Sequence, residues 1–174
     1  MNTKLYQSEF SVVIEAEVGS DRITSEVWAT KEGQLNSHGD RPAVYKLEVV
    51  DGREREYRAW YRDGNLHRDD DNPAETLTDL STGTVLHEVY SVNNLLHREG
   101  HDLPAIIHRS RATGRDIRHQ FYSHNKRDRS GGPAVVQFDR DSAEETRVEH
   151  WRDGRQFEAS ADADRPDFDE PPAP

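Results

Sequence analysis

The chain has 174 residues, of which 32% are hydrophobic and 33% charged, against the roughly 45–50% apolar content of an ordinary domain, so one thick core is excluded. Acidic residues outnumber basic ones by 34 to 23, a net charge of −11, which excludes a general nucleic-acid surface, since phosphate contacts need a basic face. There is no cysteine, so disulfides and thiolate chemistry are excluded. No apolar run approaches the ~20 residues that cross a bilayer, and the opening MNTKLYQSEF lacks a signal-peptide apolar region; a cytoplasmic protein without a membrane partner is expected.

In chain order, the first element is EFSVVIEAEVG, residues 9–19, which alternates in part and reads as a strand pairing with RITSEVWA. This opening hairpin, within residues 1–27, is expected to cap the first repeat, as terminal units of an array must. From residue 28 to 157 the chain repeats itself. Pro-Ala recurs at Pro42, Pro73, Pro104 and Pro133, with spacings of 31, 31 and 29 residues. Ten residues after the first three prolines stand Gly52, Gly83 and Gly114, and Ser142 lies near that place in the fourth copy. Seven to nine residues further come the aromatics Tyr61, Tyr90, Tyr122 and Trp151, and three residues after each stands Gly64, Asn93, Asn125 or Gly154. Those are residue types that accept positive φ in tight turns. Ahead of the first Pro-Ala lies a partial copy, WATKEGQLNSHGDRPA, whose Gly33 and Leu35 match Gly64 and Leu66.

Each copy has the same internal order. After Pro-Ala comes a β-rich run such as AVYKLEVV, then a turn at Asp51-Gly52, then REREYRAWY and a second turn at Asp63-Gly64. Asp-Gly between strand-like runs is a hairpin signal. The runs AIIHRSRA, DIRHQFY and AVVQF follow suit, and no helical period interrupts them. The expected fold is all-β: an antiparallel meander of about four stacked β-hairpin repeats of ~30 residues, forming an elongated, twisted or curled sheet. A lone hairpin is marginal in water, so stacking must supply the stability. The recurring aromatics are expected to form a packed ladder, with Trp60, Val89 and Phe121 on the opposite face. After Phe157 the chain turns acidic and proline-rich, and residues 158–174, which include Phe168, are expected to be a disordered tail.

The pattern aromatic-x-x-Gly/Asn-x-Leu-His-Arg-Asp/Glu, then Pro-Ala, a strand and a Gly turn, resembles MORN-type repeats, in the variant WYxNGxLHRxDGPA. Tyr61, Gly64, Leu66, His67, Arg68, Asp69, Pro73 and Ala74 carry the resemblance, as do Tyr90, Leu96, His97, Arg98, Glu99, Pro104 and Ala105. The last copy keeps Tyr122, Asn125, Arg129, Gly132, Pro133 and Ala134, and the pattern departs where Arg41, Asn72 and Leu103 replace the glycine before Pro-Ala. The resemblance implies a β-hairpin array and, from where such repeats occur, a bacterial or phage origin with the cytoplasm of the host as compartment. It implies no single activity.

Two chemical readings attach to the repeated residues. Arg68 beside Asp69 and Arg98 beside Glu99 suit a structural task, holding loop carbonyls and carboxylates of the neighbouring copy. Alternatively, Arg68, Arg98 and Arg129 line one edge as an anion-binding row. The segment from Arg109 to Arg129 is locally basic, and Arg109, Arg111, Arg115, Arg118, His119, Tyr122, Arg127 and Arg129 are the candidate ligand residues for a base and its phosphates. Five of the nine histidines fall between His97 and His124, including the His97/His101 pair, but no metal-ligand spacing accompanies them. Asp69, Asp70 and Asp71 lack the spacing of a calcium loop, and neither a phosphate loop nor a nucleophile elbow is present. The first reading is therefore a non-catalytic interaction protein, an inhibitor or adaptor of a protein partner, with no cofactor or metal. A counter-defence protein sequestering a phosphate-bearing nucleotide signal is the second, and a histidine-dependent metal hydrolase the third. The low apolar content also leads to an expected homodimer.

Overall fold

The computed structural model describes residues 2–6, 10–100 and 102–158. The acidic tail beyond residue 158 and His101 lie outside them. All regular structure among the described residues is β. Three strands open the chain: β1 (Asn2–Tyr6), β2 (Phe10–Ala16) and β3 (Ile23–Thr30). The expected hairpin of β2 and β3 is present with Val13 opposite Val27, and β1, which the sequence did not announce, pairs outside it. Strand β3 runs on through Trp28 into the first copy.

Each copy then contributes a long hairpin and a short one. The long hairpins are β4 (Val44–Val50) with β5 (Arg53–Ala59), β8 (Glu75–Asp79) with β9 (Thr84–Val89), β12 (Ile106–Arg109) with β13 (Asp116–Gln120), and β16 (Val135–Phe138) with β17 (Glu145–Arg152). Between them sit two-residue strands: β6 (Tyr61–Arg62) with β7 (Asn65–Leu66), β10 (Ser91–Val92) with β11 (Leu95–Leu96), and β14 (Tyr122–Ser123) with β15 (Lys126–Arg127). Strand β18 (Arg155–Phe157) folds back on β17. The long strands make one antiparallel meander in the order β1-β2-β3-β4-β5-β8-β9-β12-β13-β16-β17-β18, open at both ends.

The turns divide into two kinds. Asp51-Gly52, at φ of 52° and 70°, closes β4 and β5 with two residues, the twist-matched turn that Asp-Gly favours. In the later copies the loop is longer and is accompanied by a register shift, between Leu77 and Thr78, His108 and Arg109, and Gln137 and Phe138. Gly83 and Gly114 take positive φ there, and the fourth copy places Ala143, not Ser142, at that position with φ of 63°.

The buried layer lies at the Pro-Ala end. Ala43, Ala74, Ala105 and Ala134 are fully buried. The amide of Trp28 donates to Ala43 O, Trp60 to Ala74 O, Tyr90 to Ala105 O and Phe121 to Ala134 O, each at 2.8 Å. These bonds correct the expected register: Tyr90 is the counterpart of Trp60 and Phe121, while Tyr61, Ser91, Tyr122 and Trp151 occupy the next position. Ser91 stands where the neighbouring copies have Tyr61 and Tyr122, so matching by residue type set Tyr90 one position out of register. Asn94, not Asn93, likewise matches Gly64, Asn125 and Gly154.

The short hairpins stack through a second ladder. Gly64 N donates to Leu35 O, Asn94 N to Leu66 O, Asn125 N to Leu96 O and Gly154 N to Arg127 O, at 2.9–3.0 Å. Where asparagine replaces glycine its side chain adds a contact: Asn94 Oδ1 accepts from Leu66 N and Asn125 Oδ1 from Leu96 N, both at 2.6 Å. Asn125→Ala should cost about 1–2 kcal/mol, since it loses that bond and strains a residue at positive φ. Asn125→Gly should cost about half as much, because Gly64 and Gly154 fill the same place without strain. Urea unfolding of the three proteins measures both.

Candidate functional site

The repeated histidine and arginine stand at the end of each short hairpin, the histidine position meeting the next copy and the arginine reaching back toward the previous one. His67 is buried; its Nδ1 accepts from Asn93 N at 3.2 Å and its Nε2 contacts Asp69 at 3.0 Å. His97 stacks on His124 at 4.4 Å, and Asp128 accepts from Asp153 N at 3.3 Å. One position in three copies thus holds the turn of the following short hairpin.

The arginine that comes next lies flat over the buried aromatic. The guanidinium carbon is 3.7 Å from the Trp60 ring centroid for Arg68, 3.8 Å from Tyr90 for Arg98, and 3.9 Å from Phe121 for Arg129, a cation–π geometry. Each also donates to the carbonyl of its proline: Arg68 to Pro73 at 3.1 Å, Arg98 to Pro104 at 3.5 Å and Arg129 to Pro133 at 3.3 Å. The carboxylates they reach belong to the previous copy. Arg98 makes a fork with Asp71, at 2.9 Å from Nε and 3.0 Å from Nη2, and Arg129 Nε reaches Asp102 at 3.3 Å. Burial lowers the pKa of Arg68, and Asp40, at the equivalent place, opposes that shift. Asp69, the acid beside Arg68 in sequence, instead bonds to His67 and Arg62. The decisive residues missed from the sequence are these aspartates, whose signal is Asp two residues before Pro42, Pro73 and Pro104.

Between successive Pro-Ala loops this arrangement leaves three equivalent notches. The first lies between Asp40 and Trp60–Tyr61, with Arg68 and Asp70 on its rim, and measures about 200 Å³. The second lies between Asp70–Asn72 and Tyr90–Val92, about 420 Å³. The third lies between Glu99, Gly100 and Leu103 on one side and Phe121–Ser123 on the other, with Arg129 and Arg152 beside it, about 460 Å³. Each has an arginine-covered aromatic at its base.

The candidate ligand residues of the central segment do not converge. Arg109 is held by Glu88 at 2.8 Å and Asp116 at 2.9 Å. Arg111 pairs with the fully buried Asp79 and donates to Ser81 Oγ at 3.0 Å. Bonds from Ser81, then Arg111, hold the Asp79 carboxyl well below the ordinary carboxylate range. Arg115 donates to Asp141 O. His119 contacts Asp116 at 2.8 Å and meets Phe138 edge-on at 5.0 Å. Arg127 donates to Tyr122 Oη at 3.1 Å and sits 4.9 Å from the Trp151 ring centroid. Arg118 stands apart: its Nε is buried without an acceptor. The other central histidines pair as rings, His87 on His108 at 4.4 Å and 8°. Among the described residues no three histidine or acidic side chains gather as a metal-binding group.

No helix among the described residues is long and apolar enough to cross a membrane. No family model, no curated protein and no solved structure matches the chain.

Proposed function

We propose that the chain is a non-catalytic binding protein of MORN-like repeats that receives an extended segment of a protein partner along its row of notches, acting as that partner's inhibitor or adaptor. The observation that carries this reading is recurrence: the same notch occurs three times, built from the same positions of successive copies. Each copy advances the sheet by two long strands, about 10 Å at ~4.8 Å per strand. An extended polypeptide covers that distance in about three residues. A compact metabolite fills one pocket, whereas a regular row suits a chain.

The arginines at the base keep each notch in shape without reacting, since all three already serve ring and carbonyl, and Arg98 and Arg129 a carboxylate as well. Asp69, Asp70 and Glu99 on the rim, with Arg62 and Arg152, offer charges of both signs to backbone groups and side chains of the partner. A photo-crosslinking amino acid placed at Asp70 or Glu99 of the full chain, and irradiated in a lysate of the native host, should capture a discrete polypeptide. The same residue at Val49, exposed beside the turn at the opposite end of β4 and β5, should capture none. Equal capture at Val49, or no polypeptide at either notch position, would overturn the reading.

A further inference from the structure

Of the arginines between Arg109 and Arg129, five donate to acceptors already in place, and those bonds leave one unmatched. Arg118 has no hydrogen bond or ion pair among the described residues, and its Nε is shielded from water. The pairing of the strands explains its isolation. Register shifts at the end of β12 turn Asp116 toward Arg109 and His119, so the acid nearest Arg118 in sequence serves two other groups.

The sheet then sets Arg118 in a row with no carboxylate in it. His87 lies opposite His108, His108 opposite Arg118, Arg118 opposite Gln137, and Gln137 opposite Arg147. Residues directly opposite share a face, their Cβ atoms about 5 Å apart. Alternation puts this row on the face opposite Ile107, His119 and Val136. A second buried nitrogen in the row, His87 Nε2, also lacks a partner. The nearby acids are engaged elsewhere. Asp139 caps its own turn through Asp141 N at 2.9 Å and Ser142 N at 2.8 Å. Glu149 takes Arg147 at 3.0 Å, and Glu75 lies on the far side of His87, 3.8 Å from its Nδ1. Burial, His87 and Arg118 together hold the pKa of His108 at about 4, so the ring is neutral at pH 7; with Arg147 paired to Glu149, the Arg118 guanidinium is the unpaired charge of the row.

A groove of about 570 Å³ opens over these residues, lined by His108, Arg118, Gln137, Arg140 and Thr146 with the apolar Ile117 and Phe138, and by Asp139, whose Oδ1 is taken up by its own turn. Buried polar groups without partners are rare and call for an explanation; a guanidinium fork next to an amide is a ready oxyanion receiver. We propose that this groove is a binding site for a small phosphate monoester, whose oxyanion accepts from Arg118 and Gln137 while its apolar body rests on Ile117 and Phe138. The site sits at the loop end of the strands, away from the notches at the Pro-Ala end, so it stands or falls independently of the protein-partner reading. It also differs from the sequence expectation of eight convergent residues: Arg118 is retained, with His108, Gln137 and Ile117 as its new companions.

The test is an NMR titration of the full chain with inorganic phosphate and then phenyl phosphate, followed at the backbone amides of Ile117, Arg118 and Gln137. Saturable shifts confined to that groove are expected, with phenyl phosphate the tighter of the two. Arg118→Gln should weaken binding by about tenfold or more, as loss of a charged hydrogen-bond donor does, and Arg118→Lys by less. Arg127→Gln should leave binding within about twofold, because its guanidinium serves Tyr122 and Trp151 and lies outside the groove. The amide spectrum of each variant reports whether it is folded. Non-saturating shifts spread over exposed basic residues, or shifts unchanged in folded Arg118→Gln, would overturn the proposal.

Discussion

Phe121→Ala lowers the unfolding free energy by about 3–5 kcal/mol, the range for truncating a buried aromatic. Phe121 is 4% exposed and packs with Ala134 and Val136, with Phe138 and Trp151 around them. In a sheet so poor in apolar residues this cluster joins two copies: Phe121 closes the third long hairpin, while Ala134, Val136 and Trp151 belong to the fourth. The Arg129 guanidinium lies over the same ring, so alanine also removes the surface on which the arginine rests. Neighbour coupling in a repeat array then spreads the effect. Denaturant unfolding should show β16 and β17 losing their amide protection before β4 and β5. A loss below about 1 kcal/mol would mean that the cluster is not a core.

Arg98→Ala should be the next largest, about 2 kcal/mol, from the stack on Tyr90 and the charged fork to Asp71. Arg98 is 15% exposed in its side chain and Asp71 37%, which places the pair between a screened surface bridge and a buried one. Lysine keeps the charge but neither the planar fork nor the flat stack, so Arg98→Lys should recover less than half of the loss. The same order is expected for Arg129, whose single contact to Asp102 is longer. If arginine and lysine were equivalent, charge rather than shape would be the reason for the residue.

The recurrence of Pro-Ala and of a glycine turn made the meander legible, because both are local: proline fixes φ and glycine accepts the turn without help from the rest of the chain. Tyr90 was misplaced because its copy has serine at the position where its neighbours have Tyr61 and Tyr122, and only backbone pairing shows that the ring stands with Trp60 and Phe121. The task of Arg98 was half legible. Its carbonyl contact is implied by its distance to Pro104, but its carboxylate comes from Asp71, 27 residues back, across a strand pairing. Arg118 looked like one basic residue among several in a crowded segment. What isolates it is a register shift that turns Asp116 elsewhere, and register shifts leave no residue pattern of their own.

The central claim is that the repeated arginine binds one copy to the copy before it and so shapes the notches. A double-mutant cycle on Arg98 and Asp71, read by denaturant unfolding of the single variants Arg98→Ala and Asp71→Ala and the double variant, tests it most directly. A coupling of about 1 kcal/mol is expected, with the same sign and order in the Arg129 and Asp102 cycle. Losses that add without coupling in both cycles would contradict the claim, and would leave the arginine as a cover for its own aromatic with no part in joining the copies.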